Sequence, residues 1–250
     1  MVASAHTSQS PHQDIQSEVT HLERQVLADS SGQAFWIDEL ARFASDHQLS
    51  TAELRSVCTH LTWISRRLGH PIPLIDRHCS ADAIPGLLHL YVCGQRLRFD
   101  FNFLALRSFI DRHQHSPHAS DALVQSFTVF SALGTRQPGA TEDLSGVLQL
   151  PDIDTRARHV CLAGLWSAYT VPNQGNLLLS LADKMIDLGE ADGTVYFRRA
   201  AANRLLGNYL AALDDIDRAL SMTQPGNNEI NQDYLRERQL IGLAAQLATI

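Results

Sequence analysis

The 250-residue sequence predicts a mainly helical α+β protein, with a small β-hairpin inside an N-terminal helical domain and paired helices in the C-terminal region. Three observations carry this. Apolar residues recur at helical spacing through most of the chain. The stretch LLHLYVCGQRLRFDFNF, from Leu87 to Phe103, alternates on either side of Cys93 and Gly94, which is a hairpin signal. The stretch from Gly193 to Pro225 reads as two antiparallel helices joined at Gly207, with Ala200, Ala212 and Ala219 where the helices must touch.

Composition narrows the function classes. A hydrophobic content of 44% supplies a core for one large domain or two ordinary ones. A formal charge of −7 with no basic run argues against a nucleic-acid partner or an anionic membrane surface, because either needs clustered Lys and Arg. No apolar run approaches the span of a membrane helix. Cys58, Cys79, Cys93 and Cys161 are scattered without a CxxC pair, and the first residues lack the apolar core of a secretory signal. Reduced thiols and a cytoplasmic location are therefore expected.

Taken in order, residues 1–15 are Ser, His, Gln and Pro rich and are expected to be a disordered tail. Apolar positions at 15, 19, 22 and 26 predict a first helix, and FWIDELARFA, from Phe35 to Ala44, a second. Ser50 and Thr51 offer an N-cap, with Glu53 in the first turn, for a helix that runs through Leu54, Val57, Cys58, Leu61 and Ile64 and stops at Gly69. Three prolines mark His70 to Gly86 as an irregular connection. In the hairpin that follows, a two-residue loop pairs Val92 with Gln95, His89 with Arg98 and Leu87 with Asp100. That register sets His89 and Asp100 diagonally on one face. A helix resumes at Leu104, and Ser116 before Pro117 suits the start of another that ends at Gly134. Residues 135–152 keep no period, so the domain boundary is set near Leu150: 16–150 form the N-terminal domain and 151–250 the helical region. Helices are expected from Ile153 to Thr170 and from Asn176 to Leu188, with a last one from Ile230 to Leu247.

Candidate chemistry lies in three places. His113, His115 and His118 could ligate a metal, but their flanks Gln114, Ser116 and Pro117 are those of a solvated connection, and neither a metal nor any other cofactor is expected. Cys58, His89 and Asp100 could serve as nucleophile, base and orienting carboxylate for acyl transfer. Against that, Cys58 shares the apolar face of its helix with Leu54 and Leu61, where a cysteine behaves as a small core residue. Arg198, Arg199, Asp214, Asp215 and Asp217 form a charged set on the last helix pair, and mostly read as solvated or ion-paired faces.

The unit from Gly193 to Pro225 resembles a tetratricopeptide repeat. A 34-residue shift sets Met185 under Ala219, Leu178 under Ala212 and Trp166 under Ala200, an earlier unit in register but with bulky residues at all three crossings. Repeats of this kind stack and present a surface to partners, which implies protein or peptide binding. The binding residues so implied are Tyr169, Tyr196, Arg199 and Asn203. The last helix is then a terminal cap, with Arg236, Glu237 and Arg238 between its apolar positions.

The order RRLGHPI (Arg66 to Ile72), IPGLLHLYV (Ile84 to Val92) and RFDFN (Arg98 to Asn102) resembles the core of transglutaminase-like proteins of the SirB family. There a helix ends in Arg-Leu-Gly, one strand opens with Pro-Gly-His-Phe and the next carries Val-Asp-Pro-Phe-Asn. FRRA, from Phe197 to Ala200, occupies the place of that family's Arg-Asp-Arg-Gly, with Arg199 matched. Asp100 matches the carboxylate, whereas the family histidine falls on Leu87 and the family nucleophile near Leu54, one turn or about 5.4 Å from Cys58. The resemblance thus implies a scaffold that has lost the standard chemistry and acts as a binding or accessory protein. The rival expectation is a cysteine-dependent acyl-transfer or peptide-modifying enzyme using Cys58, His89 and Asp100.

Overall fold

The computed structural model describes residues 11–30, 36–71, 83–168, 172–223 and 228–248. Every regular element among them is a helix. The chain forms two compact units, Met1–Val124 and Gln125–Ile250.

The first unit holds α1 (Pro11–Ala28), α2 (Trp36–Asp46), α3 (Thr51–Arg67), α4 (Ala83–Phe99) and α5 (Phe103–Arg112). Of the expected N-terminal tail, residues 1–10 lie outside the described residues, and α1 begins at Pro11. The α3 start follows its sequence signal closely. The Ser50 Oγ accepts from the Glu53 backbone N–H, and the Glu53 carboxylate accepts from the Ser50 backbone N–H, so two orphan donors of the first turn are satisfied reciprocally.

The expected β-hairpin is not formed. Residues 83–99 are one helix, and no strand occurs among the described residues. The cause lies in how α4 is buried. Leu88, Leu90, Tyr91, Val92, Cys93, Gln95 and Leu97 are all buried, and at 100° per residue they encircle the helix. A helix enclosed on every side has no polar stripe to reveal its 3.6-residue period, so a chance alternation is what remains visible. Gly94, read as a turn, is a buried helical residue that costs only about 1 kcal/mol relative to alanine. The pairing of Val92 with Gln95, His89 with Arg98 and Leu87 with Asp100 falls with the hairpin.

Between α3, α4 and the start of α6 (Ala122–Gly134) lies a buried polar knot. The Arg55 side chain, 1% exposed, donates to the Tyr91 hydroxyl at 3.1 Å and the Asp121 carboxylate at 2.6 Å, and Tyr91 donates to the same carboxylate at 2.7 Å. The other Asp121 oxygen accepts from the Leu123 and Val124 N–H groups and so caps α6. That cap displaces the expected start at Ser116 and Pro117, where residues 113–120 form consecutive turns instead.

The second unit continues with α7 (Ala140–Val147), which occupies the stretch expected to be an irregular boundary, then α8 (Thr155–Ala168), α9 (Pro172–Asp187), α10 (Gly193–Leu205), α11 (Tyr209–Ser221) and α12 (Asn228–Leu247). Pro172, expected as a break, is the first residue of α9, where its missing N–H costs no hydrogen bond. Leu178, Leu181, Ala182 and Met185 of α9 pack with Cys161, Leu162 and Leu165 of α8 in one apolar cluster. Phe197, Ala200, Ala212, Ile216, Ala219, Tyr234 and Ile241 form a second, at the meeting of α10, α11 and α12.

Candidate functional site

The α10–α11 pair is built as its sequence specifies. Asp192 caps α10 through one carboxylate oxygen that accepts from the Thr194 and Val195 N–H groups at 2.9 and 3.1 Å. Gly207, at φ +81°, supplies the left-handed turn that ends it. Tyr196–Arg218, Arg199–Asp215 and Asn203–Asp215 connect the two helices, residue number falling on one as it rises or holds on the other, so the helices lie antiparallel. Ala200, Ala212 and Ala219 are completely buried at the crossing. Gly193 is needed for a related reason, since a Cβ there would lie 3.2 Å from the Ala219 carbonyl oxygen and 3.3 Å from the Tyr234 hydroxyl.

Of the residues assigned to partner binding, Tyr196 and Asn203 are buried and Arg199 is partly buried. The Arg199 guanidinium spans three helices, donating to Asp183 on α9 at 2.8 Å and to Asp215 on α11 at 3.0 Å. The Asn203 side-chain amide donates to Asp215 at 3.0 Å, and Asp215 is 4% exposed. Tyr196 is buried, with the Arg218 guanidinium 4.9 Å from its ring centroid and that of Arg199 at 5.6 Å. These side chains fix helices against one another. Tyr169 lies outside the described residues.

Arg198 is a buried cation of α10. At 8% exposure it donates one hydrogen bond, at 3.3 Å, to the His159 carbonyl oxygen, and its Nε has no hydrogen-bond partner among the described residues. Burial pulls its pKa down to about 10, against the attraction of Asp192 and Tyr234.

An exposed apolar surface lies on α12. That helix carries two apolar stripes. Ile230, Tyr234 and Ile241 face inward; Tyr234 stacks on Phe197 with ring centroids 4.9 Å apart, and Ile241 is fully buried. Two of the charged residues between them are tied down as well, Glu237 to Arg204 at 2.6 Å and Arg238 to Asp217 at 2.7 Å. The second stripe is Leu240, Leu243 and Leu247, at i, i+3 and i+7, exposed by 41%, 57% and 72%. All three were visible in the sequence as apolar positions, but sequence alone does not separate two stripes that overlap within eight residues.

The acyl-transfer trio is dispersed. Cys58 is wholly buried on α3, and burial pushes its thiol well above the usual range, which disfavours the thiolate a nucleophile requires. His89 lies on α4 with its Nδ1 3.7 Å from the Cys93 sulfur and its ring 5.6 Å from Phe109 and 5.5 Å from His113. Asp100 follows the end of the same helix, about 16 Å further along the axis from its eleven-residue separation, and accepts from Arg66 at 2.9 Å and Arg96 at 3.1 Å. The carboxylate therefore cannot orient the imidazole. Of the histidine set, His113 lies against Phe109 at 4.8 Å, and among the described residues no three His, Cys, Asp or Glu side chains are grouped to hold a metal.

No family model, curated protein or solved structure matches this chain. The segments that carried the transglutaminase-like resemblance as strands, Ile84 to Val92 and Arg98 to Asn102, lie in α4 and the turn after it. No described helix is long and apolar enough to cross a membrane.

Proposed function

We propose that this chain acts by binding another protein, and that α8 to α12 form a tetratricopeptide-like stack whose open end is the outer face of α12. The observation that carries the reading is the leucine stripe at 240, 243 and 247. A stack of helix pairs needs a terminal helix with a polar outer face to remain solvated, and in the last turns of α12 that face, polar at Gln232, Arg236 and Gln239, is interrupted by three exposed leucines. Spacing of i, i+3 and i+7 is that of knobs entering the groove of a facing helix, so the occupant is an amphipathic helix of the partner. Covering the exposed portions of three leucines is worth about 3–5 kcal/mol, enough for a specific contact that also needs polar rim interactions. Cys58 and Cys161 are buried thiols, which suits a reducing compartment, and the cytoplasm is the proposed location.

Affinity purification from the native host, comparing the wild-type chain with a Leu243→Asp/Leu247→Asp variant of unchanged melting temperature, tests this. Recovery of one protein in stoichiometric yield by the wild type, and its loss from the variant, is expected. An identical set of proteins recovered by both would overturn the reading.

A further inference from the structure

The outer edge of α12 carries more than its leucine stripe. Asp233, Arg236, Leu240, Leu243 and Leu247 recur in alternating steps of three and four, the spacing of one coiled-coil seam, and all five are exposed. The first two are charged. Among the described residues neither Asp233 nor Arg236 has a side-chain hydrogen bond or an ion pair, whereas their neighbours Glu237 and Arg238 are held by Arg204 and Asp217. Gln232, Gln239 and Gln246 border the seam on one side and are neutral, and Glu237 and Ala244 border it on the other. Charge selection of a partner at this face therefore rests with Asp233 and Arg236.

The stack supplies a direction. Asp183 meets Arg199 while Gly175 lies against Leu205, so α9 and α10 are antiparallel, as α10 and α11 are. Asp217 meets Arg238 while the Ala219 carbonyl and the Tyr234 hydroxyl converge on Gly193, so α11 and α12 are antiparallel too. Helix direction thus alternates from α9 to α12. Pairing α8 with α9 and α10 with α11, the register of the 34-residue shift, leaves α12 as a first helix without its second.

We infer, on the footing of the docking proposed for α12, that a partner protein supplies the missing second helix antiparallel to it. Read from its N-terminus, that helix sets apolar residues against Leu247, Leu243 and Leu240, then a carboxylate against Arg236 and a cation against Asp233. Charge complementarity fixes the order, because a seam that is apolar at one end and charged at the other accepts a matching helix in one register. A second copy of this chain does not match. Laid antiparallel with its leucines paired, it sets Arg236 against Leu247; laid parallel, it sets Asp233 on Asp233 and Arg236 on Arg236. A charge covered by leucine and like charges face to face both reject it.

The test uses the full chain and fluorescein-labelled peptides, followed by fluorescence anisotropy. The first peptide, Leu-Ala-Gln-Ala-Leu-Gln-Ala-Leu-Ala-Gln-Ala-Glu-Gln-Ala-Lys, matches the seam in antiparallel order. The second exchanges its Glu and Lys, and the third is the first written backwards, which matches a parallel helix. Saturable binding of the first is expected, with Kd about tenfold higher for the second and no lower for the third. Asp233→Lys/Arg236→Glu, of unchanged melting temperature, should reverse the preference between the first two, and Leu243→Asp should abolish binding. Equal Kd values for the first two peptides, both lost in Leu243→Asp, would overturn the inference and leave docking on the leucines standing. Tighter binding of the third would overturn it through the direction. Binding of none of the peptides, or binding that survives Leu243→Asp, would overturn the inference and the docking beneath it together. A wild-type dimer in sedimentation equilibrium that Leu243→Asp dissociates would overturn it as well, since the occupant would then be a second copy.

Discussion

Asp215→Ala should be among the most damaging single substitutions in the second unit. Its carboxylate is 4% exposed and serves two donors on α10, Arg199 and Asn203, from α11. Removing it orphans the Asn203 amide, itself 6% exposed, at a cost of about 1–3 kcal/mol. Truncating one partner of a fully buried ion pair costs about 3–5 kcal/mol. Arg199 is not in that limit, because its side chain is 24% exposed and keeps Asp183 at 2.8 Å, so its share is smaller, about 1–2 kcal/mol. The sum, about 2–5 kcal/mol, lowers the melting temperature by about 4–20 °C for a chain of this length. Thermal unfolding followed by circular dichroism measures it. A cycle with Arg199→Met isolates the coupling, expected at about 1–2 kcal/mol. A total loss below about 0.5 kcal/mol would show that the three helices do not depend on this carboxylate and would refute the reasoning.

Other outcomes follow from the same geometry. Asp121→Ala removes both the α6 cap and the carboxylate nearest Arg55, and should destabilise the chain by at least about 3 kcal/mol; Asp121→Asn, which keeps an acceptor at the cap, should cost less by the same melting assay. The hydrogen bonds from Arg158 hold the Glu190 carboxyl below the usual carboxylate range. A depressed folded pKa gives stability that is present above the unfolded pKa, about 4.3, and is lost as pH falls through the folded value. Melts from pH 7 down to pH 3 should therefore show an acid loss that is smaller in Glu190→Gln. Burial pushes the Cys161 thiol up to about 12 and the Cys58 thiol higher still. In a Cys79→Ser background, Ellman's reagent should leave the native protein unlabelled over minutes and react fully once it is denatured; rapid native labelling would contradict the burial.

What could be read from the sequence depended on whether a segment is half or wholly buried. The α3 helix announced itself because Ser50 and Glu53 form a local capping pair and one face only is apolar. The α10–α11 pair was legible because three alanines and Gly207 mark where two backbones approach and turn. The α4 helix was misread because burial on all sides erases periodicity, and the site inferred from it fell with it: His89 lies on the helix and Asp100 in the turn after it, not on one strand face. Arg199 and Asn203 looked available because a charged or amide residue at a helix crossing suggests a ligand. Their partners, Asp183 and Asp215, lie 16 and 12 residues away, beyond any local pattern. The shared direction of Leu240, Leu243 and Leu247 could be assigned only once Tyr234 and Ile241 were known to face inward.

A photo-crosslinking residue placed in turn at 243 on α12 and at 222, the C-cap of α11, a position 46% exposed and outside the leucine stripe, tests the account most directly. Expressed in the native host, the chain should crosslink one protein from position 243 and not from position 222, with the adduct abolished by Leu247→Asp. Capture of that protein from position 222 alone would contradict docking on the outer face of α12.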